Sequence, residues 1–171
     1  MLLYRSRFFR SEVDKYTWQE VGSSCLPGEL IAAFLWAQLE EADQITKKRL
    51  AAWQRYYELL EPLESSGFLR RPIVPDGCIH NGHMFYVILA PEIDRQKVIN
   101  KLKRHHISSV FHYVPLHSSP AGHLYGRAHG ALEVTNRQSE RLLRLPLFVG
   151  LTESMQDKVI DVLTQSVSQQ L

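Results

Sequence analysis

Apolar positions along this chain change their spacing partway, and the change separates two kinds of element. From Pro27 onward Leu30, Ile31, Phe34, Leu35, Leu39, Ala42 and Ile45 recur three and four apart, and Leu50, Trp53, Tyr57 and Leu60 continue the series. That spacing predicts one long amphipathic helix ending by Pro62, with a bend in the polar stretch 46–49. Pro27 suits a first helical turn, where its missing N–H would have no partner, and Ser24 or Ser23 is the capping candidate upstream. A helix of that length must pack along its whole face or project toward a partner. Residues 1–23 have no clear period, yet Phe8, Phe9, Tyr16 and Trp18 stand there among Arg10, Glu12, Asp14 and Lys15.

After Ser65-Ser66-Gly67 the elements shorten. Residues 69–74 read as a strand interrupted by Pro72, and residues 83–89 as the best strand, rich in aromatic and β-branched side chains. Asp94 caps a helix carrying Val98, Ile99 and Leu102 and ending near His105; residues 107–114 then read as a strand stopped by Pro115. A Gly-, Pro-, Ser- and His-rich loop covers 115–131, a helix 133–144 and a short strand 145–148. Thr152 opens a last helix with Met155, Val159, Ile160 and Leu163 turned inward. Alternating strands and helices of this kind predict an α+β layer, a small sheet with helices on one face. The boundary between the long helix and this unit falls near 62–67.

Composition narrows the classes of function. The chain has 171 residues, 44% hydrophobic and 22% charged, as expected of a folded domain, and such a length buries about two-thirds of its unfolded surface. Twenty basic residues against 18 acidic ones leave a net charge of +2, too little for a broad nucleic-acid footprint. The Lys47-Lys48-Arg49 run reads as a solvated helix face. Cys25 and Cys78 are too few for a disulfide framework and have no CxxC partner. No apolar run approaches the roughly 18 residues of a membrane helix, and the apolar start is too short for a secretory signal. The expected setting is the cytoplasm, with no membrane and no nucleic acid as partner.

Three segments then carry a resemblance. Val21-Gly22-Ser23-Ser24 followed by residues 30–40, with Ala32-Ala33 and Gln38-Leu39-Glu40, resembles the Gly–loop–helix segment of the DegT/DnrJ/EryC1/StrS aminotransferases. Residues 111–117, Phe-His-Tyr-Val-Pro-Leu-His, resemble that family's strand-and-loop motif, and residues 139–147 its helix-to-strand segment before the last helix. Each is weak alone, but they occur in order with the expected elements between them. Residues 5–10 and 13–18 look closest to one branch, the dTDP-4-amino-4,6-dideoxygalactose transaminases of enteric bacteria.

The resemblance implies a fold, the C-terminal small domain of the aspartate-aminotransferase (PLP fold type I) architecture preceded by a long helix. It divides the chain into 1–23, a remnant of the large-domain and active-site loop region, 24–62, a connecting helix, and 63–171, the small domain. It also implies a chemistry. Members transfer an amino group from glutamate to a keto-sugar nucleotide as homodimers, with pyridoxal 5'-phosphate (PLP) as electron sink and a lysine forming the resting Schiff base. The branch implies dTDP-4-keto-6-deoxyglucose as acceptor, in enterobacterial common antigen and other surface polysaccharide biosynthesis. The family's lysine precedes the matched region, and Lys15, Lys47, Lys48, Lys97, Lys101, Lys103 and Lys158 all fall elsewhere, so no catalytic residue is assigned.

By the same resemblance Ser24 falls where many members place an Asn on the neighbouring subunit's cofactor phosphate; a plain helix cap is the other reading of it. Tyr113 and His117 match positions near the sugar nucleotide, and strand alternation would put His112 on the face opposite Tyr113. Arg5, Arg7 and Arg10 could meet a diphosphate, although a solvated terminus is the preferred reading. His80 and His83 have no further ligands in the sequence pattern to make a metal site, and none is assigned. The expectation is therefore a C-terminal piece unable to transaminate alone. The alternatives are a split enzyme completed by a separate N-terminal fragment, and a small α+β binding module, which lacks any aromatic RNA-binding strand motif.

Overall fold

The structure is a computed structural model that describes residues 27–170. The chain divides into two compact units, one up to Ala42 and one from Asp43 onward. The described part of the first is helix α1 (Glu29–Glu40), with Gly28 at its N-cap. Pro27 lies ahead of the cap rather than inside the first turn, and Ser24 lies outside the described residues. None of α1 is buried: Leu30, Ile31, Phe34, Trp36 and Leu39 are all exposed.

The second unit begins with α2 (Ala42–Leu59) and α3 (Glu61–Ser65). It continues through β1 (Leu69–Arg70), β2 (Phe85–Leu89), α4 (Arg95–Arg104), α5 (Pro120–Tyr125), α6 (Glu133–Arg141), β3 (Leu142–Leu145) and α7 (Glu153–Ser168). The three strands form one antiparallel sheet in the order β1-β2-β3, with Leu69 opposite Leu89 and Phe85 opposite Leu145. The expected α+β layer is thus present.

Alternation on the strands decides which face is covered. Phe85, Val87 and Leu89 on β2 and Leu143 and Leu145 on β3 are buried, and they join Leu69 in one core. Tyr56 and Leu60 from the α2 end, Val98 and Leu102 from α4, and Val159, Val162, Leu163 and Val167 from α7 pack into the same core. Each such side chain contributes roughly 1.5–3 kcal/mol when fully buried. Trp53 lies 5.2 Å from Phe85 and 4.4 Å from His80, centroid to centroid, and Tyr56 lies 5.3 Å from Phe85. Gly82, at φ +59°, lets the 80–83 loop close on α2: a Cβ there would sit 3.1 Å from the Arg49 carbonyl carbon.

Several polar ties fix the helices. Asp94 accepts from the backbone N–H groups of Gln96 and Lys97, the cap expected from sequence, and Thr152 accepts from Met155 N–H. Buried Gln156 donates from Nε2 to the Ala52 carbonyl at 2.8 Å, joining α7 to α2. Arg71 donates to the Glu64 carboxylate and to the Tyr57 carbonyl at 2.7 Å, and its guanidinium covers the Tyr57 ring at 4.2 Å.

Elements differ from the sequence reading at named places. The long helical run breaks at Glu41, not within 46–49, where Lys47 and Lys48 are exposed as a solvated face requires but Arg49 is half-buried. No proline, glycine or capping residue marks Glu41, so periodicity runs straight through it. Pro62 does not end helical structure; it takes a first-turn position in α3. The second half of the long run belongs with the sheet, since Trp53, Tyr56 and Leu60 lie in its core.

Residues 107–114 form no strand and touch the sheet through one bridge, Val110 to Arg144. His106 and Tyr113, at φ 62° and 47°, turn the chain out of extended conformation on either side. Helix α6 stops at Arg141 rather than 144, and β3 begins at Leu142 rather than 145. As a strand, this segment buries Leu143 and Leu145 opposite Val87 and Phe85. The expected 115–131 loop contains a 3-10 turn, Leu116–Ser118, and α5. Met155 is exposed, and its inward place on α7 is taken by Gln156.

Two outcomes follow for stability. Gln156→Ala is expected to lower the urea midpoint by the loss of a buried hydrogen bond and its packing, about 1–3 kcal/mol. Tyr56→Phe, by contrast, is expected to cost nothing, because its buried hydroxyl has no partner among the described residues. Equal losses in the two variants would contradict this account. Glu64 is lowered from the ordinary carboxylate value: burial pushes it up, but hydrogen bonds from Arg71 and the charges of Arg71 and Arg70 outweigh that. A depressed folded value stabilises the fold above the unfolded value near pH ~4.3, and that contribution is lost as pH falls through the folded value. Glu64→Gln is therefore expected to flatten the loss of stability below about pH 4, measured by thermal melts across an acid series.

Candidate functional site

While Ser24 lies outside the described residues, Tyr113 and His117, two of the site residues singled out by sequence, lie in one stretch of the second unit, 110–141. It leaves the sheet at Val110, whose N–H and carbonyl both bond Arg144, at 3.3 and 2.8 Å. Phe111 then lies beneath Arg95, whose guanidinium stands 5.3 Å from the ring centroid. Burial pushes the Arg95 guanidinium down from its ordinary value, against the opposing charge of Glu140. Arg95 also donates to the carbonyls of Ser139 and Leu142, the latter at 3.2 Å, and so ties α4 to the α6–β3 junction. Arg141 adds a second tie, from Nε to the Leu89 carbonyl at 2.6 Å.

Tyr113 follows in the left-handed region and is 77% exposed, its ring edge-on to His112 at 5.7 Å. The expected strand alternation does not apply to this pair, because no strand is present. A non-glycine residue at φ 47° stores a small strain, of the kind that collects at ligand-facing positions.

His117 sits four residues on, in the 3-10 turn. Its Nε2 is 2.8 Å from Asn136 Oδ1 on α6, while Asn136 Nδ2 donates to the Ala131 carbonyl at 3.0 Å. The turn is closed from behind: Ser119 Oγ donates to the Leu116 carbonyl and accepts from Gly122 N–H. A Cβ on Gly122 would fall 1.6 Å from that Leu116 oxygen, so no larger residue fits without moving the turn. The structure thus brings His117 to Asn136 and leaves Tyr113 beside His112, with no hydrogen bond between the two pairs among the described residues. Asn136, Arg95 and Gly122 escaped the sequence reading. No periodicity or motif marks Asn136 or Arg95, and Gly122 looks like an ordinary loop glycine until Leu116 is seen behind it.

His80 lies against Trp53, and His83 bonds Asn81 Oδ1 at 2.9 Å; no group of three or more metal-ligating side chains occurs among the described residues. No described lysine stands beside the 110–141 stretch as a Schiff-base partner for PLP would. Lys47, Lys48, Lys97, Lys103 and Lys158 are exposed on helices, Lys101 Nζ donates to Gln169 at 2.8 Å, and Lys15 lies outside the described residues. The stretch 110–141 contains no lysine. The described residues therefore do not fit the cofactor by themselves, and no chemical step is routed through it.

Comparison with known proteins adds context. A dTDP-3-amino-3,4,6-trideoxy-alpha-D-glucose transaminase of Micromonospora megalomicea subsp. nigra is 30% identical over 97% of this chain and 44% of its own length. A dTDP-4-dehydro-2,3,6-trideoxy-D-glucose 4-aminotransferase of Saccharopolyspora spinosa is 28% identical over 87% of this chain and 37% of its own. The chain thus spans less than half the length of these relatives. A crystal structure of a DegT DnrJ EryC1 StrS aminotransferase from Brucella abortus shares the fold at a TM-score of 0.75 and 26% identity, over 94% of this chain and 42% of that one. Among other structures of the same fold, one from Bacillus subtilis carries bound PMP. No helix among the described residues is long and apolar enough to cross a membrane. With residues 2–164 matching it, nearly the whole sequence, this chain belongs to the DegT/DnrJ/EryC1/StrS aminotransferase family.

Proposed function

We propose that this chain provides the small-domain share of a PLP-dependent transaminase that moves an amino group from glutamate to a keto-sugar nucleotide. The observation that carries the reading is the match along nearly all of the chain to a family that includes the two dTDP-sugar aminotransferases described above. Within that frame the acceptor is dTDP-4-keto-6-deoxyglucose, and the product feeds enterobacterial common antigen and related surface polysaccharide synthesis in the cytoplasm. Residues 1–23 belong to the large-domain and active-site loop region, and the connecting helix from 24 passes into the small domain ahead of Trp53 rather than at 62.

Each residue has a defined part in this reading. Ser24 offers its hydroxyl to the cofactor phosphate of a neighbouring subunit. Tyr113 presents an exposed phenol, and His117 an imidazole on a braced turn, to the sugar nucleotide. PLP, when bound, supplies the electron sink for the amino transfer. Its lysine comes from a large domain, on the same polypeptide or a complementary N-terminal fragment, in a homodimeric assembly.

The activity test is direct. These 171 residues, purified with PLP, glutamate and dTDP-4-keto-6-deoxyglucose, are expected to transfer no amino group, and a lysine-bearing N-terminal portion is expected to restore transfer. Turnover by the 171-residue chain alone would overturn the reading. A second outcome concerns α1. Phe34, Leu35, Trp36 and Leu39 keep apolar surface in contact with water, and each gains roughly 1.5–3 kcal/mol when fully buried. The chain alone is expected to self-associate in light scattering and to disperse when the N-terminal portion is added. A stable monomer at high concentration would show that these side chains need no such cover.

A further inference from the structure

His117 has one ring nitrogen committed and one left over, and the commitment is decided by Asn136. The Asn136 amide cannot be turned around without penalty, because its Nδ2 donates to the Ala131 carbonyl at 3.0 Å. Reversal would set two oxygens against each other. Oδ1 is therefore the atom that faces His117 Nε2 at 2.8 Å, and an oxygen with no hydrogen can only accept. In the neutral ring the proton then resides on Nε2, and Nδ1 carries the lone pair. Nδ1 has no hydrogen-bond partner among the described residues.

Both partners are held from the core outward. Asn136 lies on α6, which runs without a loop into β3, and Arg95 grips the carbonyls of Ser139 on α6 and Leu142 at the start of β3. Ser139 Oγ donates back to the Asn136 carbonyl at 2.8 Å. His117 is held by the Ser119 and Gly122 bonds of its turn. The imidazole is thus braced against a helix anchored to the sheet, in one orientation and one tautomer.

We propose that Asn136 is a positioning residue for His117, fixing its proton on Nε2 so that Nδ1 accepts a hydrogen bond from a sugar hydroxyl of the nucleotide. This rests on the reading of His117 as a sugar-nucleotide residue. It refines that reading, because a neutral ring with a free lone pair selects a donor on the ligand. A phosphate oxygen, which only accepts, is not matched by Nδ1 in that state.

Nitrogen-15 magic-angle-spinning spectra of the histidine-labelled chain provide the test, since they tolerate self-associated protein; loss of one signal in His117→Gln identifies the ring. At alkaline pH the wild type is expected to show Nε2 as N–H and Nδ1 as the bare nitrogen. Asn136→Ala is expected to lower the ratio of that tautomer to the other by roughly three- to tenfold, as loss of one hydrogen bond implies. Asn136→Asp, which keeps an acceptor, is expected to restore it. An unchanged ratio in Asn136→Ala, or a wild-type proton on Nδ1, would overturn the positioning role. Addition of dTDP-glucose separates the two ideas: a shift at His117 Nδ1 supports the sugar-hydroxyl contact. With the N-terminal portion that restores transfer also present, no shift, with the Asn136 dependence intact, leaves the positioning role standing and removes the sugar-nucleotide reading beneath it.

Discussion

Pairing of β3 against β2 is the constraint from which the second unit takes its form. Phe85 opposite Leu145 and Val87 opposite Leu143 put four buried side chains on one face, and a shift of one residue would turn all of β3's apolar positions to the other side. Because α6 enters β3 directly, the register of that pair also sets where α6 lies and how it is rotated. Asn136 is carried along, and with it the orientation of His117. A surface imidazole is thereby referred to a sheet register through a single continuous element.

The same junction is gripped by two arginines from outside the core. Arg95 and Arg141 spend their guanidinium donors on backbone carbonyls of Ser139, Leu142 and Leu89, groups that strand and helix geometry leave over where one element turns into the other. Charge-assisted bonds of this kind are stronger than neutral ones. They explain how a nine-residue helix with no buried side chain of its own holds a fixed place. On the opposite end of the sheet, the Trp53–Phe85–Tyr56 cluster and the close approach of Gly82 to Arg49 bring α2 into the fold.

Membership in the aminotransferase family and the absence of a suitably placed lysine among the described residues are compatible on physical grounds. A small domain folds on its own core, as the buried cluster from Trp53 to Val167 demonstrates, without containing the group that performs the chemistry. What it can offer is geometry: a braced imidazole, an exposed phenol, and apolar surface on α1 that a further segment could cover.

Local chemistry was legible in the sequence wherever a residue's own neighbours decide its conformation. Asp94 and Thr152 cap the helices that follow them because their side chains satisfy N–H groups two or three residues away. The strand at Phe85–Leu89 follows from its aromatic and β-branched residues, the inward faces of Val98, Leu102, Val159 and Leu163 from helical period, and the ordered motifs around 21–40, 111–117 and 139–147 carried the family. Tertiary structure decided the rest, because the competing energies there come from distant partners. The helix-to-strand switch at Leu142 depends on β2 being available to cover Leu143 and Leu145. The irregular path of 107–114 depends on only one bridge to Arg144 being formed, and the inward turn of Gln156 on the Ala52 carbonyl 104 residues away. His117 could be named from its motif. Its bond to Asn136, and hence which of its nitrogens is left for a ligand, exists only once α6 is fixed against the sheet.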